Sequence, residues 1–191
     1  MNRLLFAILM WAALSGQDAA TPVRVLIETE AGEIEADIDT VRAPVTAANF
    51  LKYVDAGHFD GGRFFRTVRP DNQVEKPVKI AVIQAAANRE RRDSFFPPIP
   101  LERTNVTGLS HKDGTLSMAR GEPDSARDSF SICVGDQPSL DFGGARNPDG
   151  QGFAAFGLVI RGMDVVRKIQ MSAAKGETLT PPVAILRIRR R

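Results

Sequence analysis

From Val23 to Asp39 the chain alternates apolar and polar residues, and this period of two constrains the fold more than any other feature of the sequence. In Val23-Arg24-Val25-Leu26-Ile27-Glu28-Thr29-Glu30 every second residue is apolar or β-branched. After Ala31-Gly32 the pattern resumes in Glu33-Ile34-Glu35-Ala36-Asp37-Ile38-Asp39. Successive side chains of a strand point to opposite faces, so such a segment buries one face and wets the other, and the short Gly-containing break makes the pair a hairpin. Short apolar runs separated by turn formers follow at Arg63–Val68, Ile80–Ala85, Thr115–Ala119, Phe130–Val134, Phe153–Val159 and, after Pro181-Pro182, Val183–Ile188. Two segments change period. Pro44 to Ala56 places Val45, Phe50, Leu51 and Val54 on a helical stripe, with Pro44 in the first turn and Gly57 at the C-terminal cap. Met163 to Met171 repeats the device with Met163, Val166 and Ile169. Many short strands with two helices imply a β-barrel or sandwich with helical caps, and no repeat or linker divides it.

The first twenty residues have a different character. Asn2 and Arg3 precede an apolar run from Leu4 to Leu14, followed by small and polar residues to Ala20. A positive start and an apolar core too short for a membrane span predict a secretory leader over residues 1–20, with the folded domain over 21–191. An exported, periplasmic or secreted protein is expected, with no stable membrane insertion once the leader is removed.

Composition excludes several classes of function. Lys+Arg 25 against Asp+Glu 23 leaves a net charge of only +2, which argues against a nucleic-acid binder that neutralises phosphates in bulk. Cys133 is the single cysteine, so no intrachain disulfide forms, and with two histidines it offers little for a zinc site. The turn-rich stretch Phe142 to Gly152 superficially resembles a calcium loop but lacks the acid at every second position and the closing glutamate. No metal and no cofactor is expected.

The order of segments resembles the cyclophilin family of peptidyl-prolyl cis-trans isomerases. Phe59-Asp60-Gly61-Gly62-Arg63-Phe64-Phe65-Arg66-Thr67-Val68 is similar to the family stretch that carries its arginine. Ile83-Gln84 resembles the start of Ile-Gln-Gly-Gly, and Gly114-Thr115-Leu116-Ser117-Met118-Ala119-Arg120 resembles Gly-Thr-Leu-Ser-Met-Ala-Asn. Ser129-Phe130-Ser131-Ile132-Cys133 is similar to Gln-Phe-Phe-Ile-Cys, Leu140-Asp141 to the Leu-Asp beyond it, and Gly162-Met163-Asp164-Val165-Val166 to the opening of the second helix. The matches run in order from about residue 23 to 188.

The resemblance implies a closed eight-stranded antiparallel β-barrel capped by two α-helices, with Xaa-Pro segments of unfolded or loop polypeptides bound in a groove on its outer wall. A monomer that binds no nucleic acid is expected. By resemblance Arg66 is the donor to the prolyl nitrogen, and Gln84 positions Arg66 or bonds the substrate backbone. Val82, Ala119, Ser131, Leu140 and Phe153 line the peptide site. From spacing alone Arg66 reads as a solvated strand residue, Gln84 as a structural hydrogen-bonder, and Ala119 and Leu140 as core.

Several positions depart from the family pattern. Ser131 stands where a phenylalanine lines the proline pocket, Ser139 where a tryptophan precedes Leu-Asp, Phe153 where a histidine follows, Ala81-Val82 where a phenylalanine is usual, Arg120 where Asn ends its motif, and Ser129 at the groove glutamine. The paired loss at Ser131 and gain at Phe153 suggest that Phe153 refills the pocket from the opposite wall. Without such refilling, the same barrel would serve as a peptide holdase with weak turnover. Two segments exceed the family's spacing, one near Asp71 to Pro77 and one from Phe142 to Gly152, and both are expected to rim the groove. His111 reads as a surface loop residue with no acid at triad spacing, Cys133 as a buried apolar filler, and Arg187, Arg189, Arg190 and Arg191 as a solvated strand end.

Overall fold

The computed structural model describes residues 21–74 and 76–191; the expected leader lies outside the described residues. The strands are β1 Val23–Thr29, β2 Gly32–Ile38, β3 Arg63–Val68, β4 Val82–Ala86, β5 Thr115–Met118, β6 Ser129–Cys133, β7 Ala154–Arg161, β8 Ala174–Lys175 and β9 Thr178–Arg190. They form one antiparallel sheet in the order β1-β2-β7-β5-β6-β4-β3-β9-β8, which β1 closes by pairing with β9. The two-residue β8 hangs on β9 outside the ring, so the closed barrel has the eight strands expected.

The first hairpin shows why the alternation folds this way. Val23, Val25 and Ile27 face Ile38, Ala36 and Ile34 across the ladder, while Arg24 on the wet face pairs Asp37 at 2.8 Å. Helix α1, Pro44–Asp55, packs against β7 and β9 and sends Phe50 into the core, where its ring meets Phe59, Phe130 and Phe156 at centroid distances of 5.2 to 5.4 Å. Ala43 offers no side-chain cap to this helix. The carboxylate of Glu102 instead accepts from the Val45 and Thr46 N–H groups at 3.0 and 2.7 Å. A single helical turn, α2, covers Thr104–Thr107. Helix α3, Met163–Gln170, packs against β2, β3 and β4 through Val166 and Ile169. It starts at Gly162, whose φ of +92° and 2.3 Å separation between a would-be Cβ and the Glu33 carbonyl leave room only for glycine.

The expected strands differ from the observed ones mainly at their ends. Phe153 precedes β7 instead of opening it, and Ile80 and Ala81 precede β4. The last strand is longer than expected, because β9 begins at Thr178 and runs through Pro181-Pro182. The terminal arginines are not merely solvated: Arg187 and Arg189 pair with Glu28, Arg190 with Asp55 and Arg191 with Glu35, tying the barrel seam. The largest correction concerns His111, which is 1% exposed.

Candidate active site

The site is built by ladder register and one bulge. In a regular strand Phe64 and Arg66 would share a face. Here β3 steps from Phe64↔Ala85 to Arg66↔Gln84, leaving Phe65 as an extra residue. Phe64 therefore points into the core with 0% exposure, while Arg66 turns outward with a half-buried side chain. Opposite Arg66 comes Gln84, opposite Gln84 comes Ser131, and opposite Ser131 comes Ser117, so four strands lay one polar row across the outer wall. Two residues further along the same face, Val68↔Val82 and Val82↔Cys133 form a second, apolar row. Ile80, Leu140 and Phe153 complete it as a small cluster separate from the main core.

A cavity of about 490 Å³ lies over both rows. All seven residues expected at the site line it: Arg66, Val82, Gln84, Ala119, Ser131, Leu140 and Phe153. Phe153 sits on the loop before β7, packed against the apolar row, and lines the cavity together with Ser131. Both long segments also reach the rim, one with Lys76, Pro77 and Val78, the other with Ala145 to Pro148.

Arg66 is held from two sides. Its Nη1 donates to Gln84 Oε1 at 3.0 Å, while Nε and Nη2 donate to Glu177 Oε2 at 2.8 and 2.5 Å. Gln84 is fixed in turn, because its Nε2 donates to Ser129 Oγ at 3.1 Å and that hydroxyl donates to the Ala85 carbonyl at 2.7 Å. The guanidinium thus spends three of its five N–H groups on the described residues. Glu177 escaped the sequence reading. It follows Gly176 in the β8–β9 turn, 111 residues from Arg66, and only the closure of β9 onto β3 joins them.

The opposite wall, Ser139 to Phe153, is not a strand. Gly144 and Gly152 let it fold tightly: a Cβ on Gly144 would lie 2.4 Å from the Ser139 carbonyl, and one on Gly152 would lie 2.6 Å from the Asp141 carbonyl carbon. Arg120 anchors this wall through Asp149 at 2.8 Å and the Gly152 carbonyl at 2.8 Å, and its guanidinium carbon stands 5.1 Å from the Phe153 ring centroid. Arg146 bridges the two long segments, donating to Gln73 Oε1 at 2.7 Å and to the Val78 carbonyl at 2.6 Å.

His111 sits beneath this wall. Its Nδ1 lies 2.6 Å from Asp141 Oδ1 and its Nε2 lies 2.8 Å from Ser117 Oγ. Because a carboxylate must accept, Nδ1 carries the proton and Nε2 accepts from the serine hydroxyl. The acid missing at triad spacing is supplied 30 residues away by the fold. Ser117 nevertheless lies mid-strand, 3% exposed and paired on both sides, so the relay ties loop to strand instead of presenting a nucleophile. Burial holds the His111 pKa below its ordinary value, against the opposing bond and charge of Asp141. Burial also pushes the Cys133 thiol far above its usual range, so Cys133 is the inert filler expected of it.

Among the described residues, no group of three or more His, Cys, Asp or Glu side chains is arranged to hold a metal ion. Fold and site together are a closed antiparallel barrel with an arginine beside an apolar notch on its outer wall. The comparisons with known proteins agree: the family model for cyclophilin type peptidyl-prolyl cis-trans isomerases matches residues 24–190. Peptidyl-prolyl cis-trans isomerase A of Dickeya dadantii is 38% identical, over 79% of this chain and 73% of its own length. A peptidyl-prolyl cis-trans isomerase of Acinetobacter baylyi is 34% identical over 85% and 80% of the two chains. The crystal structure of a Cryptosporidium parvum cyclophilin type isomerase, determined in the presence of the dipeptide Ala-Pro, superposes with a TM-score of 0.70 at 18% identity, covering 88% of this chain and 98% of that one. This chain belongs to the cyclophilin-type peptidyl-prolyl cis-trans isomerases.

Proposed function

We propose that the groove rotates Xaa-Pro bonds of unfolded or loop segments in exported polypeptides, acting as a monomer, with Arg66 as the catalytic donor. Amide resonance sets a barrier of about 18–20 kcal/mol, and Xaa-Pro bonds therefore exchange over roughly tens to hundreds of seconds. Reaching milliseconds takes about 10⁴-fold, or roughly 5.5 kcal/mol of preferential binding to the twisted state. In that state the prolyl nitrogen becomes pyramidal and basic. A fixed guanidinium then stabilises it more than it stabilises the planar ground state. Gln84 and Glu177 orient the fork of Arg66, and Val82, Ile80, Leu140 and Phe153 offer the apolar surface for the proline ring while the preceding carbonyl turns. Ala119 and Ser131 leave room for the flanking backbone.

The observation that carries this reading is the adjacency of the polar and apolar rows on one outer face, one carrying a half-exposed guanidinium and the other a greasy notch. Export rests on the Arg3 and Leu4–Leu14 pattern of the leader. Exchange NMR on acetylated Ala-Ala-Pro-Ala amide tests the chemistry. The intact chain is expected to accelerate exchange, and Arg66→Ala to lower kcat/KM by about 10² to 10³, the usual effect of removing one transition-state donor. Unchanged turnover in Arg66→Ala would remove the arginine mechanism. The alternative, a peptide holdase on the same barrel, is favoured by the binding of Arg66 to a carboxylate and by the loss of a phenyl at Ser131. Peptide binding without any acceleration would establish it.

A further inference from the structure

Three arginines line the groove, and they are not alike. Arg66 is matched by Glu177 at 2.5 Å and Arg120 by Asp149 at 2.8 Å. Arg146 touches only neutral acceptors, Gln73 Oε1 and the Val78 carbonyl, both through Nη1, and among the described residues no carboxylate lies within 4.0 Å of it. Its Nε and Nη2 donors make no hydrogen bond to the described residues. Lys76 stands exposed on the same rim, and none of the described lining residues is acidic. Among the described residues, the Arg146 side of the groove therefore carries positive charge that no carboxylate meets directly.

The placement is built, not incidental. Gln73, 2% exposed, is itself locked by bonds from its Nε2 to the Arg69 and Ile80 carbonyls, and the Arg146 backbone N–H donates to the Ser139 carbonyl at 3.1 Å. A half-buried, oriented fork with unspent donors is the device by which proteins recognise carboxylates. We propose that Arg146, assisted by Lys76, makes the groove selective for Xaa-Pro segments that carry a glutamate or aspartate side chain immediately before or after the proline. Burial and the like charge of Arg66 weaken the hold of Arg146 on its proton, with Glu177 opposing, and an incoming carboxylate offsets the like charge. Specificity of this kind also works by exclusion, since a lysine at the same position meets Arg146 and Lys76 as like charges.

This inference rests on the isomerase reading but fails separately from it. Exchange NMR compares Ac-Ala-Xaa-Pro-Ala-NH2 and Ac-Ala-Ala-Pro-Xaa-NH2, with Xaa glutamate, glutamine or lysine; blocked ends leave the side chain as the sole carboxylate. In at least one series kcat/KM for glutamate should exceed that for glutamine by about tenfold, the scale of a hydrogen bond to a charged group. Lysine should fall below glutamine. The glutamate preference should shrink several-fold in 0.5 M NaCl, collapse to near unity in Arg146→Gln, and survive in part in Arg146→Lys. The ratio is independent of the active fraction, so a loop disturbed by the substitution does not confuse the result. Equal turnover of all three peptides by the intact chain, or a ratio preserved in Arg146→Gln, would overturn the proposal. If none of the peptides turned over, the isomerase reading would fall. Kd ratios from the same spectra would still decide the charge preference.

Discussion

Along one side of the groove the backbone ladder places Arg66, Gln84, Ser131 and Ser117 in one row; along the other, Ser139 to Phe153 has no ladder and hangs on glycine turns and side-chain anchors. Positions on the ladder wall follow from backbone register, so exchanging a side chain there alters chemistry and leaves shape alone. Positions on the loop wall follow from Gly144, Gly152, Arg120 and the His111–Asp141 bond, so exchanging one of those moves the others. The residues proposed for the chemistry sit on the first wall, and the departures from the family pattern are divided, with Val82, Ser129 and Ser131 on the ladder strands and Ser139 and Phe153 on the loop wall.

Gly152 gives the contrast its largest expected effect. Its φ is +66° and a Cβ would press on the backbone of Leu140 and Asp141 at 2.6 to 2.7 Å. Gly152→Ala should cost about 2–3 kcal/mol, since strain of about 1–3 kcal/mol comes with each such conformation and the clash adds to it. For a domain of this size that lowers Tm by about 5–10 °C. A matched change on the ladder wall, Ser131→Ala, should shift Tm by no more than about 2 °C, as substitutions away from core and caps do. Equal shifts for the two would erase the distinction. Phe153→Ala comes next. A partly buried phenyl in the small cluster should contribute about 2 kcal/mol, below the 3–5 kcal/mol of a core ring. Because the ring would hold proline in both ground and twisted states, the loss should fall mainly on KM, and steady-state kinetics on a proline tetrapeptide reads it. An unchanged KM takes Phe153 out of the pocket.

His111 supplies a smaller effect with a definite sign. Its folded pKa lies below the unfolded value near 6.5, so the unfolded chain binds the extra proton first as pH drops. The contribution of neutral His111 is whole above pH 6.5 and declines as pH falls below that, by at most about 1.4 kcal/mol per pH unit, until the folded form also protonates. The carboxylates held below their ordinary values, Asp39 by bonds from Arg42 and Asp149 by Arg120, weaken the fold only at lower pH. Denaturant titrations between pH 7.5 and 5.5 should therefore show a slope that His111→Gln removes. A slope that persists in this variant would place the sensitive group elsewhere.

Legibility in the sequence followed the same division. The alternation in β1 and β2 and the apolar runs of β3 to β7 were enough for a barrel or a sandwich, because a two-residue period is a local signal, while closure into eight strands was reachable only by resemblance. Arg66 was reachable only by resemblance, since the bulge at Phe65 breaks the alternation that would have placed it beside Phe64. Glu177 and the burial of His111 were not legible, because each depends on a partner delivered by tertiary closure: Arg66 from 111 residues away and Asp141 from 30. The polar segment around His111 is indeed a loop. What its composition could not show is that a carboxylate waits under it.

Glu177 offers the finest division between the walls. Its side chain is 23% exposed and that of Arg66 is 35% exposed, so water screens the pair and it should add under about 1 kcal/mol to stability. Under the arginine mechanism proposed above its work would be geometric, since two N–H groups of the fork lean on one oxygen. Glu177→Ala should therefore leave Tm within about 2 °C and KM unchanged while kcat falls by about three- to fivefold, as expected of an interaction needed only when the prolyl nitrogen puckers. Glu177→Gln, which keeps an acceptor, should recover most of that loss. A rise in kcat for both variants would carry a different lesson: the carboxylate would then be damping the positive field at the nitrogen, and orientation of Arg66 would belong to Gln84 alone.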